Sequence, residues 1–122
     1  MFHGDFSNLG VDVISIYKPI VISGDNAVIY DMAFALKDDV KLTNISLIAN
    51  NSKFAENSNA LIFANGQSIE LNNIYVNYTT PSNSNAYGIL AYGAENFKLL
   101  DSSILFDSNN RAGVTQHALQ IR

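Results

Sequence analysis

Apolar and polar residues alternate along this chain in short runs, and one run is written three times. Val40-Lys41-Leu42-Thr43-Asn44-Ile45-Ser46-Leu47 aligns without a gap on Ile69-Glu70-Leu71-Asn72-Asn73-Ile74-Tyr75-Val76 and on Phe97-Lys98-Leu99-Leu100-Asp101-Ser102-Ser103-Ile104. The copies start 29 and then 28 residues apart. Each is apolar at its first, third and eighth places, charged at the second, and Asn or Asp at the fifth. The apolar spacing changes from two to three at that fifth place. A flat strand cannot absorb such a shift without turning its apolar set to the wrong face. A bend with one residue in the left-handed region can, and Asn is the non-glycine residue that enters it most readily. The pattern therefore places Asn44, Asn73 and Asp101 at one corner, stacked and hydrogen-bonded in a ladder. A fixed period of this length is the signature of a solenoid.

The remaining apolar runs fit the same plan. Val11-Asp12-Val13-Ile14-Ser15-Ile16 alternates as a strand, and Tyr17-Lys18-Pro19 turns the chain. Ile20-Val21-Ile22 is closed by the turn cluster Ser23-Gly24-Asp25-Asn26, and Ala27–Tyr30 and Phe34–Leu36 follow as short strands. Ala60–Ala64 and Tyr87–Ala91 supply the strand that precedes the later copies. These runs lie too close together for intervening helices. The reading is all-β: about four coils of three short strands each, with a period of 28–29 residues. Residues 1–10 form a lead-in or edge segment and 11–122 the repeat domain. The long polar loops always leave the same corner.

Composition supports a single ordered domain, with 48% hydrophobic and 15% charged residues in 122. Asparagine takes much of the place of charge, 16 residues in all, which suits a fold with many corners. The net charge of −4, with seven basic residues spread along the sequence, argues against a nucleic-acid partner. The chain has no cysteine, so disulfides and thiolate metal sites are excluded. No apolar run reaches the ~18–20 residues that a membrane span needs, and Met1-Phe2-His3-Gly4-Asp5 does not open like a signal peptide.

The phrase Lys18-Pro19-Ile20-Val21-Ile22-Ser23-Gly24-Asp25-Asn26-Ala27-Val28-Ile29, followed by the three copies, resembles a right-handed parallel β-helix of the pectin-lyase-like kind. It especially resembles the opening coil of adhesin-like surface proteins of methanogenic archaea. The resemblance covers roughly residues 11–122. It implies an extracellular or cell-surface setting and a non-catalytic module that serves as a rigid spacer and binds glycan or surface protein. The resemblance is specific for fold and weak for function, because the repeat encodes geometry.

Carboxylate columns of the sort used by polysaccharide lyases and glycoside hydrolases do not emerge from the pattern. Asp38-Asp39 is the one adjacent acidic pair, and the next copies carry Gln67-Ser68 and Glu95-Asn96 there. Asp25, Asp31 and Asp101 read as corner residues, and Asp107 begins a loop. His3 and His117 fall at opposite ends of a stack, so no metal site is expected, and no cofactor motif is present. A fragment of a carbohydrate-active enzyme and a viral tailspike-like β-helix remain the alternative readings. Lys41, Glu70 and Lys98 form an outer column of alternating sign, read as a register device. Ala35, Ile62, Leu90 and Tyr92 are expected to form an outward apolar stripe. Tyr92 is the candidate for stacking on a sugar ring, with Tyr75, Tyr78 and Tyr87 adding aromatic surface near the long loops. Asn44, Asn50 and Asn77 open N-x-S/T acceptor patterns. The inner columns expected are Val40/Ile69/Phe97, Leu42/Leu71/Leu99, Leu47/Val76/Ile104 and Ile45/Ile74/Ser102, with Ser102 placed to accept a backbone donor. Leu119 and Ile121 look inward on a last strand without a cap, so the chain reads as a segment of a longer solenoid, or one that self-associates through its open C-terminal coil.

Overall fold

The computed structural model describes residues 5–7 (backbone only), 13–50, 54, 59–80, 85–107 and 115–122. They form eleven strands and no helix: β1 Asp5–Ser7, β2 Val13–Ile16, β3 Ile20–Tyr30, β4 Ala33–Leu36, β5 Val40–Asn50, β6 Ala60–Ala64, β7 Ser68–Thr79, β8 Ala86–Ala91, β9 Asn96–Leu100, β10 Ser103–Asp107 and β11 Gln116–Ile121. From β2 to β9 the chain alternates between two all-parallel sheets. One has the order β1-β3-β5-β7-β10, with β9 also on β7; the other has the order β11-β8-β6-β4-β2.

Register follows the repeat. Val40 pairs with Ile69, and Ile69 with Phe97; Lys41, Glu70 and Lys98 form the next row, and Leu42, Leu71 and Leu99 the one after. Beyond the bend, Leu47 pairs with Val76 and Val76 with Ile104. Phases this regular arise because one face of each strand is buried, so a one-residue slip would expose every inward side chain.

Asn44, Asn73 and Asp101 have φ of 58°, 56° and 49°. The amide Nδ2 of Asn73 donates to Asn44 Oδ1 at 2.7 Å. In β3 the same corner holds three residues, and Asp25 and Asn26 take the positive φ values, 50° and 62°. Gly24 is required there: a Cβ would lie 1.9 Å from Ile45 Cγ1 and 2.6 Å from the Asn44 carbonyl oxygen. Ser102, at the one polar place in its column, accepts the backbone N–H of Ile74 at 3.0 Å and donates to the Leu100 carbonyl.

The expectation of three separate strands per repeat needs correction. In β5 and β7 the ladder bonds resume on both sides of the left-handed residue, so each strand runs through the bend; only the last copy divides, into β9 and β10.

One apolar core draws on both sheets. Val40, Leu42, Ile45, Leu47, Ile69, Leu71, Ile74 and Val76 come from the first; Phe34, Leu36, Ile62, Ala64, Ile89 and Ala91 come from the second. The second sheet is buried on its other side as well. There Ala35, Phe63 and Leu90 share a row, and Ala60 and Tyr87 join them in a smaller cluster. Ile62 thus belongs to the main core and Phe63 takes the place foreseen for it. The cause is a phase shift: Leu61 and Ile62 are adjacent and both sit in the main core. Because both faces are covered, β4 and β6 read as unbroken apolar runs. Gly88 lets β8 and β11 approach, since a Cβ there would stand 2.5 Å from the Ala118 carbonyl oxygen.

Candidate functional site

The turns of three or four residues that lead from the second sheet into the first stack on one another, and Arg122 after β11 continues the row. Lys37 N–H donates to the Ile16 carbonyl, Asn65 to Leu36, Tyr92 to Ala64 and Arg122 to Ala91, all at 2.8 Å. These bonds extend each ladder by one residue and line up Tyr17, Lys37, Asn65, Tyr92 and Arg122 along the corner. Tyr17 and Tyr92 are exposed, at 70% and 50%. Lys37 Nζ sits 4.9 Å from the centroid of the Phe63 ring, and Arg122 donates to the Tyr87 hydroxyl at 3.2 Å. Both cations therefore fold onto the second sheet and shield its outer cluster.

On the other side of this corner an open groove of about 660 Å³ crosses the beginnings of β3, β5, β7 and β9. Its apolar end is Pro19, Ile20 and Val21, with Val21 69% exposed. Its polar end carries Ser68, Glu70, Asn96 and Lys98. Lys41 and Glu70 are bridged at 3.2 Å. Lys98 occupies the row beyond Glu70 and makes no ion pair among the described residues. Asp39 is held at the groove wall, where its carboxylate accepts the Ser68 N–H at 3.0 Å.

The sequence spreads the basic residues out; the fold does not. Lys18, Lys37, Lys41, Lys98 and Arg122, every lysine and arginine among the described residues, lie at this corner or in the adjoining row. Asp38, Asp39, Glu70 and Glu95 are interleaved with them, so the band is mixed in sign rather than a basic patch.

The four candidate tyrosines do not converge. Tyr92 belongs to the corner, and Tyr75, 37% exposed, lies on the outer face of the first sheet beyond the bend. Tyr78 is not surface at all. It is fully buried against Phe54 and Phe106, and its hydroxyl donates to Asn59 Oδ1 at 3.2 Å. Burial pushes its phenol pKa well above the usual range. Tyr87 is also buried, at 4% exposure, between its own sheet, the stacked His117 ring and Arg122. Both corrections have one cause: the tyrosines occupy packed sheet positions and use the hydroxyl as a polar handle inside the fold.

A second polar stack went unread in the sequence. Asn59, with φ 61°, accepts the Phe54 N–H through its side chain and donates Nδ2 to the Asn85 carbonyl at 2.7 Å. Asn85 in turn accepts the Thr115 N–H at 2.7 Å. Unequal loops separate these residues, so no fixed period marks them. His3 lies outside the described residues. Among those described, no three His, Asp or Glu side chains come together in a way that could hold a metal ion, and no helix is long and apolar enough to cross a membrane. No family model, curated protein or solved structure matches the chain.

Proposed function

We propose that the protein is a right-handed parallel β-helix module, about four coils long, that acts as a rigid spacer and offers a binding surface to glycan on the outside of a cell. The alternation of strands between two parallel sheets, with partners 27–30 residues apart from β4 onward, supports the helical winding. Parallel crossovers are right-handed in nearly all cases, which supplies the hand. The extracellular, adhesin-like setting rests on the sequence resemblance alone.

The observation that carries the binding part is the groove across β3, β5, β7 and β9. Its rows repeat every ~4.8 Å, the spacing of neighbouring strands. It offers an extended ligand hydroxyl and amide partners at Ser68 and Asn96, a cation at Lys98 and an apolar floor at Ile20. Tyr92, in the turn that leads into β9, is an exposed ring that a sugar face could stack on. A hydrolase or lyase needs carboxylates free to take up or release protons. Glu70 is bridged to Lys41 and Asp39 caps Ser68, so both acids of the groove have structural partners.

A glycan array and a polysaccharide-degradation screen on one sample, with and without Ca²⁺, test the proposal. Binding without released product, weakened at least tenfold by Lys98→Ala or Tyr92→Ala, is expected. Released oligosaccharide would replace this reading with an enzymatic one, and no binding would leave a spacer alone.

A further inference from the structure

The groove across β3, β5, β7 and β9 is built on the coil repeat, and its period narrows what fits it. Each strand contributes the same places. Asp39, Ser68 and Asn96 form one row at the strand starts, and Lys41, Glu70 and Lys98 form another. Backbone bonds carry the ladder into the first row: Ile20 N–H donates to the Asp39 carbonyl at 3.1 Å and Asn96 N–H to the Gln67 carbonyl at 2.8 Å. Both rows therefore repeat at the strand spacing of ~4.8 Å, and the groove runs along the coil axis.

A polymer fills such a site only if its own repeat keeps step. An extended peptide rises ~3.4 Å per residue and slips by about 1.4 Å at each strand. Glucose- or mannose-configured rings joined by β-1,4 bonds advance by close to one strand spacing per ring, because both bonds leave the ring equatorially from opposite ends. An α-1,4 bond leaves C1 axially and curls the chain away from a straight line. In the β-1,4 chain each ring is turned over relative to the last, so the same edge returns on every second ring. The row Lys41, Glu70, Lys98 has that period: two cations that only donate, two strands apart, with an acceptor between them.

We infer that the groove takes a straight, uncharged β-1,4-linked glycan laid along the coil axis, one ring to each coil. The inference rests on the glycan reading above and narrows it to a linkage and a charge. Lys41 and Lys98 donate to oxygens on one edge of alternate rings, and Glu70 accepts from a hydroxyl on the opposite edge of the ring between. The two middle strands each bring an acid to the groove, Asp39 and Glu70. A glycan with a carboxylate on every ring would set like charge beside both, so uronates are selected against.

Calorimetric titration of the full chain with defined oligosaccharides tests it. The probes are β-1,4-linked tetramers of glucose, mannose and N-acetylglucosamine. An α-1,4-linked glucose tetramer and a β-1,4-linked mannuronic acid tetramer are the counter-probes. At least one neutral β-1,4 tetramer should bind at least tenfold tighter than either counter-probe, and at least tenfold tighter than its own dimer. Glu70→Gln should raise affinity for the mannuronic acid tetramer at least threefold at low salt. A counter-probe that binds as well as the best neutral β-1,4 tetramer, or a dimer that matches its tetramer, would overturn the inference and leave glycan binding standing. Silence from all five tetramers beside other hits on the glycan array would do the same. Silence across the array as well would sink both readings.

Discussion

Leu71 and Leu99 occupy the same place in the same phrase, one strand apart, and have different surroundings. Leu71 in β7 is flanked by β5 on one side and β9 on the other and is 0% exposed. Leu99 in β9 has, among the described residues, a neighbouring strand on one side only and is partly buried. Position in the repeat sets which way a side chain points; position in the stack sets how much that direction is worth. Each strand of such a sheet completes its burial through the next.

Four substitutions sharpen or break this comparison. Leu71→Ala removes a fully enclosed side chain and should cost about 2–5 kcal/mol in urea unfolding. Leu99→Ala should cost no more than about half of that, because part of its surface already meets water. Equal losses would mean that Leu99 is covered in solution. Asn73→Ala comes next, at about 1–2 kcal/mol by the same assay, for a left-handed residue and a ladder bond. Asn73→Gly should lose much less, since glycine accepts the backbone angle without strain.

Tyr78 tests the interior by pH. Its pKa in the folded protein is raised above the ordinary value of 10.0 by burial. The neutral phenol therefore adds stability that is fully present below about pH 10 and is lost as pH rises above it, when the unfolded chain ionises first. Tyr78→Phe should cost about 0.5–1.5 kcal/mol at neutral pH, for the bond to Asn59, and should flatten the alkaline loss of stability. The smallest effect is expected at the surface. Lys41→Ala breaks the bridge to Glu70, and thermal melts should register less than about 1 kcal/mol.

The parts of the fold that were legible in the sequence are those fixed by period. The rows Val40/Ile69/Phe97 and Leu42/Leu71/Leu99 could be read because the copies align without gaps. The left-handed corners at Asn44, Asn73 and Asp101 could be read because the apolar phase breaks there. Ser102 could be read because it interrupts its column. What escaped depends on partners outside the repeat. The buried tyrosines looked like surface because their hydroxyls suggest water. The double-sided burial of Ala35, Phe63 and Leu90 is invisible when both faces of a strand are apolar. The corner band and its groove joined residues such as Pro19, Asp39, Ser68 and Asn96, which no motif links and only stacking brings together.

The connections between the sheets carry a consequence for how this molecule can change. Turns from the second sheet to the first are 17–19, 37–39, 65–67 and 92–95, nearly constant in length. Those in the other direction are 31–32, 51–59, 80–85 and 108–115, and they differ several-fold while the strands on either side keep parallel register. Doubling a flexible loop costs only about 0.6 kcal/mol in closure entropy. One side of the protein is therefore held to a fixed gauge and the other is free to gain or lose sequence. Foreign peptides inserted between Pro81 and Ser84, which leaves the buried Phe54 and Asn59 of the preceding connection in place, would be displayed without disturbing the groove on the far side, so variation and recognition can evolve on separate faces.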